Sequence, residues 1–145
     1  MNYARLVLAA VVATAVDAVY GLIVWAKVLN GEFARYPQIY RAGNDTSGFA
    51  VMFLGILAAM LVASYIYAKG YEGGSAVAEG LKFGVVLALL MAVYISSTDY
   101  GTLRIGKKMM LTYLGGQFGE FLLVGLVIGL VYRPAAKAAT RAAGV

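Results

Sequence analysis

ARLVLAAVVATAVDAVYGLIVWAKVL, Ala4 to Leu29, is an apolar run long enough to cross a bilayer, and it carries one carboxylate, Asp17, near its middle. A charged side chain at that depth costs about 3 kcal/mol or more, so intramembrane carboxylates face protein or a polar cavity rather than lipid. Working outward, three further apolar segments follow at about residues 48–68, 76–97 and 109–132. The last of them holds a second mid-segment carboxylate, Glu120. The pattern predicts an all-α integral membrane bundle of four transmembrane helices, with residues 1–145 forming a single membrane domain.

Composition supports this reading. The 145 residues are 62% hydrophobic and only 13% charged, with a mean hydropathy of +0.80; soluble domains carry about a quarter charged residues. The chain has no Cys and no His. Disulfides, thiolate or imidazole metal sites, Fe–S clusters and His-ligated haem are therefore excluded, as are Cys and Ser-His nucleophilic mechanisms. No cofactor or metal is expected. The net charge of +5 comes from basic residues that flank the apolar segments, a pattern of topology and anionic-lipid contact rather than nucleic-acid binding. Arg5 and Ala13-Thr14-Ala15 imitate a signal peptide, but the apolar character continues to Val28.

The connections have their own signals. Residues 30–47 form a polar loop with Glu32, Arg35, Tyr36, Pro37, Tyr40, Arg41 and Asp45, expected on the membrane surface. Trp25 and Lys27 suit an interfacial anchor at the end of the first helix. Asn44-Asp45-Thr46 matches a glycosylation acceptor, and Asp45, Thr46 or Ser47 can cap the second helix. Tyr65, Tyr67 and Tyr71 are expected as an interfacial belt. The turn after Lys69 is short, so the second and third helices are expected as antiparallel neighbours, with Ser75 as N-cap. Glu79 and Lys82 form an i,i+3 pair on a capped turn, a reading preferred to a phosphate or metal site at Glu72 and Glu79. Met109-Met110 reads as apolar filling, and residues 133–145 as a basic tail. Four spans place both termini on one side, but each side carries six cations. The basic tail argues for cytoplasmic termini, in a bacterial inner membrane.

Small residues organise the helix faces. Gly80, Gly84, Ala88, Ala92 and Ser96 recur at a spacing of four, and the last helix has the steps Gly115/Gly119 and Gly125/Gly129. Such stripes let helix backbones approach closely in lipid. They are expected to pack helices within the chain, between copies of it, or against a partner. Asp17 shares a face with Ala10, Ala13, Thr14 and Gly21. At about 100° per residue, Glu120 lies opposite the glycine stripe of its helix, on a face with Gln117 and Tyr113. The fourth helix is therefore expected either to be central in the bundle or to bridge to another protein or ligand, and Asp17 and Glu120 could meet across the first and fourth helices.

Asp17 and Glu120 lie at similar depth, with no Lys or Arg at that level. Two such carboxyls are expected to hold at least one proton between them. They serve either as a proton or cation relay or as hydrogen-bonded packing groups, with Thr14, Tyr20, Tyr113 or Gln117 as partners.

The stretch Tyr67-Ala68-Lys69-Gly70-Tyr71-Glu72-Gly73-Gly74, then Glu79-Gly80-Leu81-Lys82-Phe83-Gly84, resembles a turn of small bacterial four-helix integral membrane proteins of unknown function. Glu120 followed by Gly125-Leu126-Val127-Ile128-Gly129-Leu130-Val131-Tyr132 is similar to the end of the same group. The resemblance covers the second half of the chain. It implies the four-span fold and no activity; where that group often has His or Trp before the Glu, this chain has Gln117, Phe118 and Gly119. The leading expectation is a non-catalytic accessory or assembly subunit, with membrane lipid and either a second copy or a larger complex as partners. The alternative is a small transporter or proton-conducting protein using the two carboxylates.

Overall fold

The computed structural model describes residues 1–41 and 45–133. It is all-α, with no strand among these residues, and four helices are long and apolar enough to cross a membrane: Tyr3–Val28, Phe49–Gly70, Ala76–Thr102 and Lys107–Tyr132. They are called the first to fourth helices below. The expected segments are all present, with ends moved by up to five residues. The third helix runs past Ser97 to Thr102, where the Thr98 and Thr102 hydroxyls donate to carbonyls four residues back. Glycosylation at Asn44 and the tail beyond Arg133 fall outside the described residues.

Local signals explain most ends. The Asn2 side chain accepts the Arg5 amide at 3.1 Å and starts the first helix. Gly70 closes the second helix, and Gly73, at φ +98°, makes the reversal that a side chain would strain. The Glu79–Lys82 pair forms at 3.2 Å. The second helix is not side-chain capped; the Asp45 carboxylate instead accepts from the Ser47 amide and pairs with Arg41. Two helices widen into π geometry, the first over Gly21–Val28 and the third over Ala88–Ala92. Such π segments often sit at functional sites.

The fourth helix is central. It packs along the third on one flank and the first on the other, and the second helix packs chiefly on the first. The second and third helices are therefore not the close neighbours that their short turn suggested. They meet at the turn, where the Tyr67 and Phe83 rings lie 5.4 Å apart. Tyr67 is buried there beside Tyr132, so it belongs to the core rather than to an interfacial belt. Tyr65 stays outside, under the Lys69 ammonium.

The glycine steps determine how closely the third and fourth helices approach. A Cβ on Gly80 would lie 2.9 Å from the Gly125 carbonyl oxygen, one on Gly84 2.9 Å from that of Leu122, and one on Gly129 2.5 Å from that of Ala76. Ala88 and Ala92 continue the same buried seam. The Gly80-to-Ala92 stripe and the Gly125/Gly129 step are thus used within the chain. Gly115 differs: nothing lies within 4 Å of where its Cβ would be. Gly119 makes room for the Tyr20 hydroxyl instead of a helix backbone.

Leu6, Ala9, Ala10, Ala13, Met60, Ala63, Val124 and Ile128 form the core nearest the termini. Outward-facing Leu, Val, Ile and Phe side chains cover the rest of the bundle, which suits hydrocarbon and not water. The first and fourth helices are antiparallel, and the Arg5 guanidinium donates to the Arg133 carbonyl where they begin and end. At the opposite end, the loop side, a short helix at Asn30–Phe33 folds over the bundle. Lys108 holds it through Glu32 at 2.5 Å, and the Tyr36 hydroxyl accepts the Gly106 amide. The Lys108 hydrogen bond lowers the Glu32 carboxyl below its usual value.

Candidate functional site: an intramembrane acid pair

The two mid-span carboxylates sit on the first and fourth helices, which pack against each other. Asp17 is buried, 9% exposed, and Glu120 is half-buried, bonded to Trp25 of the first helix. Of the two arrangements open to the fourth helix, the central one is observed. The fourth helix has neighbours on both flanks, so glycine faces the third helix and Glu120 faces the first.

Trp25 is the residue that sequence reasoning misplaced. Its Nε1–H donates to both Glu120 oxygens, at 3.2 Å each. Its ring lies against Gly116, where a Cβ would come within 2.5 Å of the indole. Eight residues at about 100° each leave Trp25 about 80° around an α-helix from Asp17, so spacing alone did not place it at the site, and the π segment over Gly21–Val28 changes that phase. The interfacial preference of tryptophan pointed elsewhere.

The other candidates separate. The Tyr20 hydroxyl donates to the Gly116 carbonyl at 2.6 Å, and Thr14 donates to its own helix at Ala10. Neither hydroxyl is therefore spent on Asp17, which has no hydrogen-bond partner among the described residues. Tyr113 joins an aromatic cluster with Trp25, Phe33 and Tyr40, ring centroids 5.0 to 6.3 Å apart. This cluster fills the bundle between the acid pair and the loop side. Gln117 lies one turn from Tyr113 and Glu120, with its Oε1 buried and unpartnered among the described residues.

The site is therefore asymmetric. Toward the termini the pair meets the packed apolar core. Toward the loops it meets Gln117 and the tyrosines. Among the described residues no three acidic groups cluster, so the pair alone offers too few protein ligands for a typical metal site. Comparison with protein families, curated proteins and solved structures finds no match for this chain. The reading of the site rests on its chemistry.

Proposed function

We propose that this chain is a proton-coupled membrane protein that takes up and releases a proton at the Asp17–Glu120 pair. The carrying observation is a mid-span Glu120 held by the Trp25 N–H of the facing helix, with a second buried carboxyl, Asp17, on that same helix and no basic residue at their level. Two carboxyls with no basic residue at their level disfavour double ionisation in a low-dielectric bundle, so a proton taken up at one of them is held and can be exchanged. Gln117 and the Tyr113–Tyr40 cluster favour exchange from the loop side, because the opposite side is packed apolar core. The reading includes a bacterial inner membrane with both termini in the cytoplasm, supported by the basic residues near the chain ends.

The test is proton flux into liposomes holding the full chain and a pH-sensitive dye, under an imposed membrane potential. Wild type is expected to conduct, and Glu120→Gln to lose more than about tenfold of the rate, a change worth about 1.4 kcal/mol of barrier. Asp17→Asn is expected to lose less, because Glu120 keeps its Trp25 donor. Equal flux from wild type and Glu120→Gln would sink the reading.

An accessory-subunit role keeps one supporting observation. Phe49 to Gly55, the first two turns of the second helix, are exposed throughout and stand clear of the other helices. The small-residue stripes that otherwise suggest a partner are largely occupied within the chain. A clean monomer that still conducts protons in liposomes would leave the subunit role without support.

A further inference from the structure

The loop side of the bundle is closed by the chain that follows the first helix. At Leu29 the backbone leaves helical geometry, with φ −98° and ψ 0°, and turns into the short helix Asn30–Phe33. From there to Tyr40 the segment meets the start of the fourth helix and is tied to it twice. The Lys108 ammonium pairs with Glu32, and the Gly106 amide donates to the Tyr36 hydroxyl at 3.1 Å. The underside of this segment is aromatic. Phe33 lies edge-on to Trp25, Tyr40 and Tyr113, with ring centroids 6.0, 5.0 and 5.7 Å away. Trp25 in turn donates to Glu120, so a single side chain joins the covering segment to the acid.

We infer that residues 29–40 are a lid that controls proton access to Glu120, with the Lys108–Glu32 pair as its latch and Phe33 as its plug. The inference rests on the proton-exchange reading above. A proton from water has two ways to Glu120. From the termini it must part Leu6, Ala9, Ala10, Ala13, Val124 and Ile128, all buried in one core. From the loops it must pass the aromatic cluster under the lid. The second way costs less. No residue from Gly21 to Arg41 is fully buried. The two ties are one hydrogen bond and one ion pair whose lysine side chain is 67% exposed. Exposed pairs of this kind hold weakly, and segments with few buried contacts are the ones that open locally. Lifting Phe33 uncovers Trp25 and Tyr113. One turn below Tyr113 lies Gln117, whose buried Oε1 has no partner among the described residues and can accept from water arriving by that route. Closing the lid returns the plug and isolates the proton held at Glu120.

The chain has no cysteine, so Glu32→Cys combined with Lys108→Cys allows the lid to be locked by a bifunctional methanethiosulfonate and released by dithiothreitol in one preparation. In liposomes the linked chain is expected to lose more than about tenfold of its proton flux, and the reductant to restore it. Lys108→Gln loosens the latch alone and is expected to raise flux about threefold. Trp25 is the only tryptophan, and its quenching by acrylamide reads the lid without conduction. Linking is expected to reduce that quenching, and reduction of the link to restore it. Flux that is equal in the linked and released forms of a conducting chain would overturn the inference. So would equal quenching of the two forms. Quenching that follows the link, with no flux from wild type or Lys108→Gln, would sink the proton reading and leave the lid as a cover over Trp25. Equal quenching with no flux would sink both.

Discussion

Gly125→Ala is expected to destabilise the bundle by about 3 kcal/mol, while Gly115→Ala is expected to leave it unchanged. Both glycines open an identical small-xxx-small step on the same helix, so sequence pattern alone assigns them equal weight. Their surroundings differ. A Cβ on Gly125 would fall on the backbone of Gly84 and within 2.8 Å of the Gly80 carbonyl oxygen. Backbone cannot rotate away as a side-chain tip can, so the third and fourth helices must separate along their whole seam. In lipid that seam is held by close packing rather than by a hydrophobic driving force, and lost contacts are not regained elsewhere. The substituted chain is expected to unfold at lower SDS fraction in mixed micelles, followed by circular dichroism. Equal midpoints for the two alanine variants would refute the packing of this seam.

Trp25→Ala is expected to cost a similar amount, about 3 kcal/mol. The indole touches two other elements at once. It lies on Gly116 of the fourth helix, packs edge-on against Phe33 of the short helix at 6.0 Å, and meets the Tyr113 ring at 5.7 Å. Truncation leaves a void in the aromatic cluster, and glycine at 116 has no side chain to fill it. It also removes the N–H donor to Glu120. Trp25→Phe keeps much of the packing and loses the donor, so it is expected to fall between wild type and Trp25→Ala. The same micelle titration, read by circular dichroism, orders the three chains. A Trp25→Ala midpoint indistinguishable from wild type would show that the cluster contributes nothing.

Much of the architecture is legible without coordinates because hydrocarbon permits few solutions. A run such as Ala4 to Leu29 must satisfy its backbone internally, which makes it a helix. The buried seam of the third helix was also legible, since Gly80, Gly84, Ala88 and Ala92 repeat at helical spacing. Other features were not. The π segments change helical phase without any Pro to announce them. Tyr67 carries the same belt preference as Tyr65, yet one is core and the other surface. Glu120 could be placed on a face, but what that face meets depends on which helices flank it.

The apolar lengths, the missing Cys and His, and the depth of Asp17 and Glu120 are determined by the sequence alone, because each depends on composition along one helix. Which helices touch depends on interactions between segments far apart in the chain, and only the tertiary structure decides it. Placing the fourth helix between the first and third turns Glu120 toward the first helix, which carries Asp17, and gives it Trp25 as its donor. A helix with two neighbours buries two faces, and no single-helix periodicity shows which residue waits on the other side.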